Sequence, residues 1–113
     1  MEKLVMHHNN LGPNMMDQVG LAVSKHPSMI YIDISSNHLG THGFIDFYGK
    51  VNTRSSKLLE FHCRDNKIGG EELMGKLNGI SKQLTVLDLQ NNELDDENGT
   101  ELLEYSQKNI FVE

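Results

Sequence analysis

The residues able to do chemistry in this chain of 113 fall at intervals of 26 to 29. Asp33, His62 and Asp88 stand 29 and 26 residues apart, and His7, Ser35, Arg64 and Gln90 follow the same rhythm two places on. Two carboxylates flanking an imidazole are groups from which a divalent-metal site or a histidine of raised pKa is built. A histidine beside a serine, as in His7 or His8 with Ser35 or Ser36, is the raw material of a hydrolase. Neither chemistry is complete here. A metal site needs ligands that converge in an enclosed scaffold, and an acyl-transfer site needs an oxyanion hole. The sequence suggests neither. No catalysis, no cofactor and no metal is therefore expected.

The interval belongs to a phrase. Four segments read apolar-x-x-apolar-x-apolar-x-x-Asn-x-apolar: Met1 to Leu11, Met29 to Leu39, Leu58 to Ile68 and Leu84 to Leu94, each carrying its asparagine, Asn9, Asn37, Asn66 and Asn92. Alternating apolar residues such as Ile32 and Ile34, or Leu87 and Leu89, put one face of a short strand into a core and leave the other readable. The asparagine follows where the chain turns. Its amide both donates and accepts, so stacked copies would satisfy turn backbone groups that burial would otherwise leave unpaired.

After each phrase comes a segment with helical spacing: Met16, Val19 and Val23; Phe44, Phe47 and Val51; Leu73, Met74, Leu77 and Ile80; then Leu102 and Leu103. Gly49, Gly75 and Gly79 weaken these segments, which predicts short or frayed helices. Residues 52–57 are polar and read as a loop. Gly12, Gly40 and Gly69 follow the final apolar residue in three copies, where a tight turn must enter the helix, and Asp95 and Asp96 stand there in the fourth.

This period and phrase resemble the leucine-rich repeat family over essentially the whole chain. The Leu-Gly or Ile-Gly junctions resemble its longer, ribonuclease-inhibitor-like, helix-containing repeats. Met1, Met6, Met29 and Cys63 depart from the family's leucines. The resemblance implies an α/β fold: a right-handed leucine-rich repeat solenoid, a horseshoe segment with parallel strands on its concave face and helices on its convex face. Residues 1–113 would form one domain, with repeats starting near 1, 29, 58 and 84 and a partial fifth from 110. Neither end looks finished, which suggests a fragment of a longer solenoid or a subunit whose uncapped ends pack on further repeats or on another copy.

Aligning the copies predicts rows across the concave sheet: Lys3, Tyr31, Glu60 and Val86; Val5, Asp33, His62 and Asp88; His7, Ser35, Arg64 and Gln90; His8, Ser36, Asp65 and Asn91. Neighbours in a row should stand about 5 Å apart. Tyr31, Asp33, His62, Arg64, Asp88 and Gln90 are the expected partner-binding residues, with an aromatic and an arginine of the kinds that anchor interfaces. The function implied is a non-catalytic protein-binding scaffold. The alternative implied by resemblance is a segment of a small-GTPase activator or an actin-assembly regulator, since such repeats occur in the Ran GTPase-activating protein and in actin-filament capping regulators.

Composition fits that reading. Hydrophobic residues are 37 % and aromatic ones 6 %, with no Trp, so the core is expected in thin repeat layers rather than one deep cluster. The chain carries a net charge of −6; residues 88–113 hold eight acids against Lys108, while all six histidines lie before them. Scattered Lys and Arg give no basic stripe for nucleic acid, and the acidic end disfavours anionic membrane. No apolar run is long enough to span a bilayer, and the first residues do not read as a secretory signal, so a cytoplasmic or nuclear protein is expected. Cys63 reads as a buried hydrophobe. Asn98-Gly99-Thr100 is formally a glycosylation sequon that a protein of those compartments would not use.

Overall fold

The computed structural model describes residues 2–26, 28–51, 57–70, 73, 84–98 and 109–111. Five short strands, β1 (Glu2–Val5), β2 (Met29–Asp33), β3 (Glu60–His62), β4 (Val86–Asp88) and β5 (Asn109–Phe111), form one parallel sheet in the order β1-β2-β3-β4-β5. Each of β1 to β4 is the alternating core of one phrase, and β5 extends the sheet with Ile110 paired to Leu87, the fourth position of its phrase rather than the first. Apart from a shift at the start of β1, where Glu2 pairs with Met29, the register is that of the aligned copies: Lys3 pairs with Tyr31, Tyr31 with Glu60, Glu60 with Val86; Val5 with Asp33, Asp33 with His62, His62 with Asp88. From Lys3 onward, β1 to β4 so present the same positions to the same face.

Between strands the chain enters helices. A 3-10 turn at Pro13–Met15 leads into α1 (Met16–Ser24), and α2 spans Gly40–Val51. Their predicted stripes are the buried ones: Met16 and Val23 in α1, Phe44, Phe47 and Val51 in α2. Gly20 lets the two helices close, since a Cβ there would stand 3.0 Å from Lys50 Cβ and 3.2 Å from the Phe47 carbonyl. α2 runs a full 12 residues through Gly49, which departs from the expectation of a short or frayed helix. Its aromatic face outweighs the roughly 1 kcal/mol that a glycine costs. Leu73 is buried in the core; Met74, Leu77, Ile80, Leu102, Leu103 and most of the 52–57 loop lie outside the described residues.

The core departs from the expected thin layers. One contiguous cluster joins α1, α2 and strands β2 to β4. At its centre Phe61 meets Phe44, Phe47 and Tyr48 edge-on, with centroids 6.1, 5.7 and 5.6 Å away, while Phe44 and Tyr48 stack at 5.5 Å. The aromatic residues are few, but α2 and β3 bring these four together, so they fill the space between helix and strand. Cys63 lies within this core, fully buried, and burial pushes its thiol pKa well up.

Two ladders tie the turns together. Asn66 Oδ1 accepts the backbone N–H of Asn37 (2.8 Å) and Leu39 (3.4 Å) of the preceding repeat, and Nδ2 donates to Ile34 O and Arg64 O at 3.1 Å. Asn37 does the same for Asn9 and Leu11, and Asn92 for Asn66 and Ile68. Asn37 and Asn66 are wholly buried, whereas Asn9 is exposed and its amide donates only to His7 O. The second ladder runs at the helix entrances. Thr41 Oγ1 donates to Gly69 O and accepts Gly69 N–H, and Asn98 Oδ1 accepts Gly70 N–H while Nδ2 donates to Gly70 O. The sequon's asparagine, buried and bonded on both sides, thus has no amide nitrogen to offer a glycan in the folded chain.

Candidate functional site

Among the described residues α1 and α2 lie on one side of the sheet and the other side is open, and the side chains of β1 to β4 that alternate away from the core stand on it. Strand pairing sets their spacing, and the turn after each strand sets what lies beyond. His8, Ser36, Asp65 and Asn91 all adopt positive φ, between 56° and 59°. This left-handed residue in each copy turns the chain sharply, in a region that polar residues enter more readily than branched ones. It lines up a polar rim in which Ser36 Oγ donates to Asp65 Oδ2 (3.1 Å) and Asn91 Nδ2 to Asp65 Oδ1 (3.3 Å).

A shallow hollow of about 510 Å³ opens between these rows, lined by Tyr31, Asp33, Ser35, His62, Arg64 and Asp88 together with His7, His8, Ser36, Asp65 and Asn91. His62 is its hub. Its Nδ1 lies 3.0 Å from Asp88 Oδ2 and its Nε2 3.0 Å from Glu60 Oε2. Tyr31 tilts against the imidazole at 5.1 Å between centroids, and Lys3 Nζ stands 4.4 Å over the tyrosine ring. Arg64 Nε approaches Asp88 Oδ2 at 3.7 Å while more than half of its side chain stays in solvent.

Burial alone would lower the pKa of His62. The hydrogen bonds of Glu60 and Asp88 and the charges of Asp88 and Asp33 outweigh it, so the ring is held above its ordinary value. Asp33 is the converse. Burial raises it, but the Ser35 backbone N–H at 3.0 Å, the Ser35 hydroxyl, His7 and His62 bring it below the ordinary carboxylate value. Tyr31 is pushed up by its partial burial and by the charges of Asp33, Glu60 and Asp88.

Of the six residues expected to bind a partner, Tyr31, Asp33, His62, Arg64 and Asp88 line the hollow, and Gln90 does not. Gln90 instead gives its backbone N–H to Asp88 Oδ1 at 3.2 Å. The carboxylates that flank the imidazole are Glu60 and Asp88 rather than Asp33 and Asp88. Asp33 turns toward Ser35 and His7, whose Nδ1 is 3.6 Å from Asp33 Oδ2. Glu60 and Lys3 were legible as row neighbours of Tyr31, and the signal for Glu60 was its place two residues before His62, on the same face of one strand.

The serines are engaged in structure. Ser35 Oγ accepts the Arg64 N–H at 3.0 Å and Ser36 Oγ donates to Asp65 Oδ2 at 3.1 Å. Among the described residues no three His, Cys, Asp or Glu side chains are placed to hold a metal ion, and no helix is long and apolar enough to cross a membrane.

A Leucine Rich Repeat family model matches residues 83–105. The chain therefore carries a leucine-rich repeat, at the phrase that forms β4 and Asn92, within an α/β repeat fold built on a parallel sheet. Such repeats generally mediate protein–protein interaction and belong to a family of typically non-enzymatic modules. No curated protein matches the chain.

Proposed function

We propose that the chain is a non-catalytic interaction module that grips a protein partner on its open strand face. The observation that carries this reading is the open face itself: a hollow walled by Tyr31, His62, Arg64 and Asp88, with the sheet behind it and an arginine whose side chain is more than half in solvent. Aromatic and arginine side chains held on a preorganised scaffold are what anchor interfaces. The shared register of β2, β3 and β4 in a parallel sheet, with α1 and α2 behind it, supports a right-handed solenoid whose open face is the concave one. On this reading residues 1–113 act as one domain of four repeats and a partial fifth, in the cytoplasm or nucleus.

The test is affinity capture with the parent chain and a Tyr31→Ala/Arg64→Glu variant, after urea unfolding has shown equal stability. Both positions spare the groups on which the turns depend, unlike Asp33, which holds the Ser35 N–H. A protein retained by the parent and lost by the variant supports the reading. Equal retention by both chains moves the binding surface off the hollow.

A further inference from the structure

Both ring nitrogens of His62 lie 3.0 Å from a carboxylate oxygen, one of Asp88 and the other of Glu60. A neutral imidazole has one N–H and one lone pair, so it can satisfy only one of them and must aim its lone pair at the other. Only the imidazolium donates to both. We infer that His62 is a proton-operated clasp on the open face of the sheet: protonated, it holds Glu60 and Asp88 together, and on losing its proton it keeps Asp88 and releases Glu60.

The asymmetry of the release follows from the surroundings. Asp88 is buried, its Oδ1 takes the Gln90 N–H, and Arg64 stands beside its Oδ2, so it cannot turn away. Glu60 has 42 % of its side chain exposed and has water to turn into. The groups facing His62 are Tyr31 and Asp33 from β2, Asp88 from β4, and Glu60 and Arg64 from its own segment. Asp33 favours the imidazolium along with the two clasped carboxylates; Arg64 opposes it, screened by solvent.

The folded pKa of His62 is raised, so the stability it contributes is whole below the unfolded value of about 6.5 and is lost as pH rises through the folded value. Deprotonation takes the cluster of His62, Glu60 and Asp88 from a net charge of about −1 to about −2, and it frees a carboxylate in the row beside Tyr31. The clasp works in the free protein and does not depend on a partner.

Nitrogen-15 NMR of the histidines of the whole chain, titrated from pH 5 to pH 9, tests it. His62 should half-titrate above the free imidazole value and pass to the Nδ1–H tautomer, with Tyr31 ring resonances moving at the same midpoint. In Glu60→Gln the midpoint of His62 should fall. A midpoint at or below the free value, or an Nε2–H tautomer at high pH, overturns the clasp on the parent chain alone. An unmoved midpoint in a folded Glu60→Gln variant does so independently.

Discussion

Replacing Asn66 by alanine isolates the ladder that joins the repeats. Asn66 is fully buried, and its Oδ1 is the acceptor for Asn37 N–H at 2.8 Å and, more weakly, Leu39 N–H at 3.4 Å. The two carbonyls that its Nδ2 serves keep other donors, since Ile34 O still accepts from Asn37 Nδ2 and Arg64 O from Ser36 N–H. The loss therefore falls on the two N–H groups. One stranded buried donor costs about 1 to 3 kcal/mol, and the long second bond with the space left by the amide adds about 1, so about 2 to 4 kcal/mol is expected. Asn37→Ala should cost less, about 1 to 2 kcal/mol, because the Asn9 and Leu11 groups it serves are only partly buried and water can replace it. Asn9→Ala removes one exposed bond to His7 O and should fall within about 0.5 kcal/mol of the parent. Urea unfolding followed by far-ultraviolet circular dichroism reads all three, provided the slope with denaturant is unchanged. Equal losses for Asn66→Ala and Asn9→Ala would refute the assignment of the stability to buried backbone donors.

Gly69 has φ of 153°, and a Cβ there would run into the Glu93 carbonyl, so Gly69→Ala should cost about 3 kcal/mol or more. At Gly12, with φ of 70° and nothing within 4 Å, the same change should cost only about 1 kcal/mol; equal midpoints in thermal unfolding would contradict the comparison. The Cys63 thiol, buried and with its pKa pushed up, should react with a thiol reagent only as fast as the chain opens, and prompt labelling of the native protein would show that the core is not closed. Asp33 has a depressed folded pKa, so its contribution is present above the unfolded value and disappears as pH falls through the folded one. Asp33→Asn should accordingly flatten the fall in urea midpoint below about pH 4, and an unchanged acid limb would count against the Ser35 and His7 contacts.

Much of the fold was legible because the phrase is periodic in the same units as the backbone. Aligning Asp33, His62 and Asp88 in the sequence is the same operation as pairing β2, β3 and β4, so the rows of the open face could be written down unseen. What alignment cannot supply is the direction in which a long side chain leans. His62 reaches along its own strand to Glu60 and across to Asp88, a choice made by rotamers and local charge rather than by register. The ladder of Thr41, Gly69, Gly70 and Asn98 was hidden for another reason. Backbone groups supply half of its members, and its side chains differ from copy to copy, so no repeated letter marks it. The aromatic cluster was hidden because composition counts phenylalanines without saying that α2 and β3 will face each other.

The asparagine ladder also has a direction. Each amide reaches back to finish the turn of the repeat before it: Asn37 completes the turn at Asn9, Asn66 that at Asn37, and Asn92 that at Asn66. A chain leaves the ribosome N-terminus first. A newly made repeat thus keeps open backbone donors until some 26 to 29 further residues have emerged with the next asparagine. Synthesis and closure are offset by one repeat, so translation itself sets the order in which the turns can lock.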